Sequence, residues 1–325
     1  MPNVLIGSTP IRRNPGRFRE ILEAAGFTPV DPPGLGPLTE ADFPGMAAVI
    51  AGGEPLSGAM IGAAPGLRVI ARTGVGYDAV DLAVATARNI VVTVTPGTNH
   101  ESVAEQAFAL YLAVARNVVT LNASIHAGGW GRAPVRPLRG STLGLVGLGR
   151  IGRAMAVRAL AFGMTVVAFD TLADAAFDAR HGLGRLDLAD LLAASDVVSL
   201  HLPLTAATRG LFNRDTFARM RPGAILLNTA RGGLVVESDL HDALVSGHLG
   251  GAGLDVFNHE PPEPGNPLLG LPNVVLSSHV AGSDLLAMAN MAELAARCVV
   301  DLHQGRWPEG CVVNETLRSG WRWEG

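Results

Sequence analysis

The sequence predicts an α/β protein with two Rossmann-like or flavodoxin-like domains, each a doubly wound parallel sheet, and an interdomain cleft. The chain has 325 residues, about the length of two domains. Short apolar runs alternate with segments of helical periodicity along most of it. A Gly-x-Gly-x-x-Gly motif follows one of these runs and opens a helical segment. These features indicate parallel sheets covered by helices rather than a β-sandwich.

The first hundred residues contain apolar runs at 4–6, 47–51 and 90–94, separated by helix-like segments. This alternation predicts a first parallel sheet. A Pro/Gly break at 95–100 then precedes a stretch, 101–128, whose apolar residues recur at helical spacing. We expect one long helix there, after a hinge.

A second series of strands and helices follows a loop rich in Gly, Pro and Arg at 128–140. Six strands in this series predict a second doubly wound sheet, and a helix and a short tail follow it. The apolar runs of these strands lie at 143–147, 165–170, 196–200, 224–229, 250–256 and 273–278.

The composition excludes several classes of protein. The formal net charge is -4, without the basic excess of nucleic-acid-binding proteins. All 25 basic residues are arginine, which rules out Schiff-base catalysis and a Walker A lysine. Cys298 and Cys311 lack metal-binding spacing, so we expect no metal site and a reduced, cytoplasmic protein. The apolar runs are too short for a signal peptide or a membrane span, and we expect no membrane partner.

The glycine motif predicts a dinucleotide site. Gly147 ends the apolar strand, Gly149 allows the pyrophosphate to approach, and Gly152 allows the helix to pack closely. The helix begins near Arg150, and its N-terminus favours phosphate. Asp170 ends the next strand, where a carboxylate accepts hydrogen bonds from ribose hydroxyls and repels a 2′-phosphate. No arginine follows it in TLADAA, so the sequence favours NAD over NADP.

Three polar residues follow predicted strands of the second sheet, where ligands bind in such folds: Arg231, Glu260 and His279. Hydride transfer between a 2-hydroxy acid and nicotinamide needs a group that holds the carboxylate and a group that moves a proton. Arg231 could hold the carboxylate, His279 could act as the acid or base, and Glu260 could orient the imidazole. Spacing alone leaves open a packed histidine, a solvated glutamate and a surface arginine.

From Gly147 to His279 the sequence resembles the D-isomer-specific 2-hydroxyacid dehydrogenase family. The motifs that carry the resemblance occur in the family's order, and the likeness extends forward to RTGVGYDAVDL and SVAEQ. It is weakest before residue 45. The motifs are GLGRIG, HLPLTAATRGLF, NTARGGLVVESDL, GLDVFNHEPP and SSHVAG.

The resemblance implies that Arg231, Glu260 and His279 are the catalytic residues, and that backbone amides at Gly74, Val75 and Gly76 bind the substrate carboxylate. It implies a discontinuous substrate-binding domain, 1–98 plus 285–325, and an NAD-binding domain, 99–284. Asp255 would meet the nicotinamide carboxamide, and His201, Pro203 and Thr208 would lie along the adenosine side. The remaining predicted cofactor contacts are Ile151, Thr229, Ala230 and Gly282.

The implied activity is that of an NAD-dependent D-2-hydroxyacid dehydrogenase, usually a homodimer paired through its NAD domains. Trp130 resembles part of the dimer arm, although an anchor in its own subunit remains an alternative. Glu54 would repel a phosphate, which favours a substrate such as glyoxylate or hydroxypyruvate. D-3-phosphoglycerate stays open, because Arg12 or Arg13 could meet a phosphate. An NAD(H)-sensing role like that of the C-terminal-binding-protein corepressors also remains an alternative.

Overall fold

The computed structural model describes residues 1–13, 16–34, 36–132 and 134–324. The chain forms two compact units, one made of residues 1–99 and 282–325 and the other of residues 100–281. We refer to them as unit 1 and unit 2. Ala133, in the loop at 128–140, lies outside the described residues.

Unit 1 contains a five-stranded parallel sheet in the order β2-β1-β3-β4-β5. Successive side chains of each strand point to opposite faces, so Val4 and Ile6 join one core and Leu5 joins the other. The sequence analysis missed β2, a short edge strand that contains Pro29. The strands are β1 (Asn3–Ile6), β2 (Thr28–Val30), β3 (Met46–Ala51), β4 (Val69–Arg72) and β5 (Val91–Thr93).

Four helices connect these strands. Ser57 and Asp81 begin two of them, because their side chains accept hydrogen bonds from the backbone N–H groups of Met60, at 3.3 Å, and Val84, at 3.1 Å. The helices are α1 (Thr9–Arg12), α2 (Phe18–Ala24), α3 (Gly58–Ala63) and α4 (Leu82–Ala87).

Unit 2 contains a seven-stranded parallel sheet in the order β12-β11-β10-β9-β6-β7-β8. The prediction of six strands was wrong by one, because β8 has only two residues and no readable periodicity. Apolar side chains cover both faces of the sheet. The strands are β6 (Thr142–Val146), β7 (Thr165–Phe169), β8 (Gly184–Arg185), β9 (Val197–Leu200), β10 (Ile225–Asn228), β11 (Gly251–Leu254) and β12 (Val274–Leu276).

The long helix expected from 101 to 128 is two helices, α5 (His100–Ala115) and α6 (Val118–His126), bent by 60°. The break is at Asn117, whose φ of 53° is left-handed. Asparagine tolerates this conformation better than most residues, and the apolar pattern does not reveal it. Helix α5 is largely buried, whereas no residue of α6 is buried.

The remaining helices of unit 2 flank its sheet. Among the described residues no single helix is long and apolar enough to cross a membrane; only the bent pair α5 and α6 meets the criterion jointly, by length and composition. The helices are α7 (Arg150–Ala161), α8 (Ala175–His181), α9 (Leu188–Ala194), α10 (Arg214–Arg219) and α11 (Glu237–Val245).

The chain returns to unit 1 with α12 (Leu285–His303) and a tail that pairs with the end of β5. Val313 donates its backbone N–H to the carbonyl of Val92 at 2.8 Å. Three tryptophans of this segment pack together: ring centroids of Trp307 and Trp323 lie 6.4 Å and 6.3 Å from that of Trp321. The indole of Trp321 is 6% exposed, so the tail extends the core of unit 1.

Candidate active site

The glycine-rich turn joins β6 to α7 in unit 2. Gly147 has φ of 101°, and a Cβ there would lie 2.5 Å from the carbonyl oxygen of His201. A Cβ at Gly152 would lie 2.2 Å from the carbonyl oxygen of Gly147. A Cβ at Gly149 would meet nothing within 4 Å. The first and third glycines are therefore required by the fold, while the second leaves open space at the start of the helix.

Asp170 follows β7 and fixes this turn. Its carboxylate accepts hydrogen bonds from the backbone N–H groups of Leu148, at 2.6 Å, and Leu172, at 2.9 Å. Each oxygen retains acceptor capacity for a ribose hydroxyl, since a carboxylate offers about four lone-pair sites. The N-cap of α7 is Gly149, which has no side chain to satisfy the first N–H groups of the helix. Arg150 and Ile151 begin that first turn, which suits an anion.

Asn228 shapes the loop that carries Arg231. It is 1% exposed at the end of β10, and its amide nitrogen donates to the carbonyl of Arg231 at 2.9 Å. Its amide oxygen accepts from the backbone N–H of Ala230 at 3.0 Å. Gly232 follows, where a Cβ would lie 2.0 Å from the backbone of Phe257. The loop after β10 is thus held closely against the loop after β11, and Arg231 has little freedom of position.

Asp255 holds the loop that carries His279. It is fully buried, and its carboxylate accepts hydrogen bonds from the Ser277 hydroxyl at 2.5 Å and from the backbone N–H groups of Val280 and Ala281 at 3.0 Å and 2.9 Å. His279 sits at the centre of this loop with a left-handed φ of 53°. Such a conformation is costly for a non-glycine residue, and residues of this kind cluster at functional sites.

Glu260 and His279 form a pair. Nδ1 of His279 lies 2.6 Å from Oε2 of Glu260, and the other carboxylate oxygen accepts from the backbone N–H of Phe257 at 3.0 Å. Burial alone would raise the pKa of Glu260, but the hydrogen bonds from His279 and Phe257 and the charge of Arg231 outweigh it and lower the pKa. Because the ionised carboxylate only accepts hydrogen bonds, Nδ1 carries a hydrogen and Nε2 is the nitrogen left to exchange a proton.

Further predicted cofactor residues follow β9 and β10. His201 shares a hydrogen bond through Nε2 with the Ser199 hydroxyl at 2.9 Å, while its Nδ1 is buried and has no partner among the described residues. Burial lowers the pKa of His201 to about 4. Thr229 Oγ1, next to Ala230, is likewise buried and unpartnered within the described part of the chain. Pro203 and Thr208 are brought together, since the Thr208 hydroxyl donates to the Pro203 carbonyl at 2.7 Å.

In unit 1 the loop after β4 contains the three residues expected to bind a carboxylate. Gly74, with φ of 130°, donates its N–H to the Thr95 hydroxyl at 2.8 Å, so this amide is already occupied. Arg72 donates through Nε to the carbonyl of Gly76 at 3.2 Å. The amides of Val75 and Gly76 are therefore the better candidates for a substrate carboxylate.

Two other predicted residues have defined surroundings in unit 1. Gly282 belongs to unit 1 rather than to the nucleotide-binding unit, and a Cβ there would lie 2.8 Å from the amide nitrogen of Asn99. The guanidinium of Arg12 donates to the carbonyl of Gly34 and to the Thr9 hydroxyl. Arg12 thus already has acceptors within the protein.

Sequence reasoning missed the residues that support the site: Asn228, Ser277, Gly232 and Thr95. Asn228 and Gly232 stand inside the motif NTARGG, whose polar and glycine positions were a usable signal. Ser277 and Thr95 act through hydrogen bonds to residues about twenty positions away, which no local pattern reveals. Among the described residues there is no group of three or more His, Cys, Asp or Glu that could hold a metal ion.

The fold and the site define a class of protein: a nucleotide-binding doubly wound domain whose strand-end loops present an arginine, a glutamate and a histidine. The model of the family described as D-isomer specific 2-hydroxyacid dehydrogenase, NAD binding domain, matches residues 108–281, more than half of the chain. The chain belongs to this family of NAD-dependent oxidoreductases.

Individual relatives agree with this membership. A glyoxylate reductase of Korarchaeum cryptofilum is 41% identical over 271 residues, which cover 82% of this chain and 82% of the relative. A D-3-phosphoglycerate dehydrogenase of Archaeoglobus fulgidus is 42% identical over 248 residues, which cover 76% of this chain. The chain spans only 47% of that dehydrogenase. The crystal structure of the TT0316 protein from Thermus thermophilus is 41% identical with a TM-score of 0.86, covering 96% of this chain and 100% of that one.

The residues of unit 2 fit NAD. The open space at Gly149 and the uncapped start of α7 suit a pyrophosphate, and Asp170 keeps acceptor capacity for ribose hydroxyls. The buried, unpartnered Thr229 Oγ1 and His201 Nδ1 are polar atoms that a ligand could satisfy.

Proposed function

We propose that this protein interconverts a short, unphosphorylated 2-oxo acid and its D-2-hydroxy acid, with glyoxylate or hydroxypyruvate as the favoured type of substrate. The observation that carries the proposal is the 2.6 Å contact between His279 and Glu260 at the strand ends of the NAD-binding domain. NAD supplies or accepts the hydride. The cofactor contacts we propose are the turn from Gly147 to Gly152 with Asp170, His201, Pro203, Thr208, Thr229 and Ala230. Asp255 is fully buried and bonded to the loop that carries His279, so we propose that it acts by positioning that loop.

His279 moves the proton. Glu260 holds Nδ1, so the ring presents Nε2 as the proton-carrying atom. In the reductive direction Nε2 gives its proton to the C2 oxygen of the substrate as C2 gains hydride, and in the oxidative direction it takes the proton back. The ionised carboxylate of Glu260 stabilises the imidazolium that this exchange requires.

The substrate carboxylate is the remaining group to be held. Arg231 offers a planar fork of donors that matches a carboxylate, although one of its terminal nitrogens already donates to the carbonyl of Ala230 at 2.7 Å. Within unit 1, the amides of Val75 and Gly76 are separate candidates for this group. Replacing Arg231 by alanine should reduce kcat/KM by about 1,000-fold or more and leave the Kd for NADH nearly unchanged. A loss of NADH binding in that variant would contradict the assignment.

D-3-phosphoglycerate is the second candidate substrate, because relatives such as the Archaeoglobus fulgidus protein carry that name. Two features of unit 1 favour an unphosphorylated substrate. Glu54 places a carboxylate after β3, and the two terminal nitrogens of Arg12 donate to Gly34 and Thr9, while its Nε is buried without a partner among the described residues. The other alternative is a non-catalytic, NAD(H)-sensing protein similar to the corepressors, which would turn over no substrate.

The test is NADH oxidation with glyoxylate, hydroxypyruvate, pyruvate, longer 2-oxo acids and phosphohydroxypyruvate, with NADPH in parallel. We expect turnover of a short unphosphorylated acid with NADH. Preference for phosphohydroxypyruvate would support the second candidate. Tight NADH binding without turnover of any acid would instead support a sensing role and count against the enzyme we propose.

We also propose a cytoplasmic homodimer. Helix α6 has no buried residue, and Trp130, four positions after its end, is 74% exposed. A second copy of the chain would bury this surface. Both cysteines are free, which accords with a reducing compartment.

A further inference from the structure

The sheet of unit 1 has a point at which its strand order reverses, between β1 and β3. In sheets of this kind the chain leaves the two neighbouring strands toward opposite sides, and ligands bind in the crevice beyond their carboxyl ends. Ser8 follows β1 and Glu54 follows β3. A third polar side chain, Arg12, also reaches the end of β1, where its guanidinium donates to the carbonyl of Gly7 at 3.4 Å.

Gly52 shows how close these side chains come to each other. A Cβ at this position would lie 2.8 Å from the Ser8 hydroxyl oxygen and 2.7 Å from Oε2 of Glu54. The Ser8 hydroxyl and the Glu54 carboxylate therefore both lie against the backbone at Gly52, and a side chain at this position would displace one or both of them. Ser8 is 3% exposed, which places this polar corner inside the domain.

One oxygen of the Glu54 carboxylate has no hydrogen-bond partner among the described residues. This oxygen, Oε2, is buried. A buried acceptor without a donor destabilises the folded protein, and more so when it is charged. A carboxylate accepts only, so the missing partner must be a hydrogen-bond donor.

The position of Glu54 indicates which part of a substrate would supply the donor. The loop from Gly74 to Gly76 follows β4, the strand next to β3, and its amides are our candidates for the substrate carboxylate. An anionic group would be repelled by Glu54. The donor therefore belongs to the opposite end of the substrate, beyond the keto carbon.

We propose that Glu54, with Ser8 beside it, selects short 2-oxo acids that carry a hydroxyl group on C3. This inference rests on the proposed function and narrows it. Glyoxylate has no C3, and pyruvate has a C3 without a donor. A phosphate on C3 would bring a negative charge to the carboxylate. Hydroxypyruvate is the smallest acid with the required donor.

The test compares hydroxypyruvate with pyruvate, which differ only in the C3 hydroxyl. We expect the wild type to prefer hydroxypyruvate in kcat/KM by about 100-fold or more, because a site built to bind a hydroxyl rejects an analogue without one. Glu54→Leu should reduce this ratio at least about 10-fold, whereas Glu54→Gln, which keeps an acceptor oxygen, should retain more of it. Glu23→Leu, which removes an exposed carboxylate of α2, should leave the ratio unchanged.

If a variant turns over its substrates too slowly for kcat/KM to be measured, ligand binding still tests the inference. In the presence of NAD, D-glycerate should raise the Tm of the wild type more than D-lactate does, and Glu54→Leu should abolish the difference. An unchanged hydroxypyruvate-to-pyruvate ratio in a folded Glu54→Leu protein would overturn the inference while leaving the dehydrogenase intact. Failure of the wild type to turn over any 2-oxo acid would instead overturn the proposed function.

Discussion

At the scale of single residues, we propose that the acid–base chemistry depends on Glu260. Its pKa lies below the ordinary value, so its carboxylate is charged throughout the neutral range. Glu260→Gln removes the charge beside the His279 ring and replaces the carboxylate that accepts its Nδ1–H. The reductive kcat/KM should therefore fall by about 10-fold or more, while the Kd for NADH stays nearly unchanged. A variant with the kcat/KM of the wild type would exclude Glu260 from this role.

His201 is the residue whose titration should appear in stability. Its pKa falls from 6.5 to about 4 on burial, so the unfolded chain binds a proton between these values and the folded chain does not. Stability therefore rises with pH across this window, and it is lost as the pH falls from about 6.5 to about 4. The full difference is about 3 kcal/mol, at about 1.4 kcal/mol per pKa unit.

The His201→Asn variant tests this contribution. It removes the titrating ring while keeping a polar partner for the Ser199 hydroxyl. Free energies of unfolding from urea titrations at pH 7 and pH 4.5 should show a larger loss for the wild type than for the variant. If the wild type and the variant lost the same free energy of unfolding, His201 would bind a proton at pH 4.5 in the folded protein as it does in the unfolded chain.

At the scale of elements, the turn from β6 to α7 contains two glycines with different roles: the fold requires Gly152, and we propose that Gly149 leaves room for NAD. A Cβ at Gly152 would collide with the carbonyl of Gly147, whereas a Cβ at Gly149 would enter open space. Gly152→Ala should lower the Tm by several degrees, and Gly149→Ala should keep the Tm but weaken NADH binding about 10-fold or more. Thermal melts and NADH titrations of both variants test this prediction. If the two variants had the same Tm and the same Kd for NADH, the two glycines would not differ in role.

The sequence predicted most elements but not all. Long apolar strands and the glycine motif were readable because burial on both faces and a tight turn restrict residue types directly. The edge strands β2 and β8 are too short for a pattern. The break at Asn117 depends on one left-handed residue within continuous helical periodicity. The support of His279 by Asp255 depends on hydrogen bonds between distant segments, so the sequence located both residues but not their connection.

At the scale of the whole molecule, α6 should mediate dimer formation. Val119 is 54% exposed on this helix, and Val245, at the end of α11, is 62% exposed. Placing a charge in a buried dimer interface is costly, whereas the same charge on a free surface is not. Val119→Asp should shift the protein toward monomer in sedimentation equilibrium, and Val245→Asp should not. A wild type that is monomeric at all concentrations would exclude the dimer.

The tryptophans divide unevenly between the two units. Three of the four are in the tail that packs on unit 1, and the remaining one, Trp130, is exposed in unit 2. A Trp130→Phe protein would therefore emit indole fluorescence from unit 1 alone, whereas circular dichroism registers helices of both units. The two signals together would show whether the units unfold in one transition or in two, without any added label.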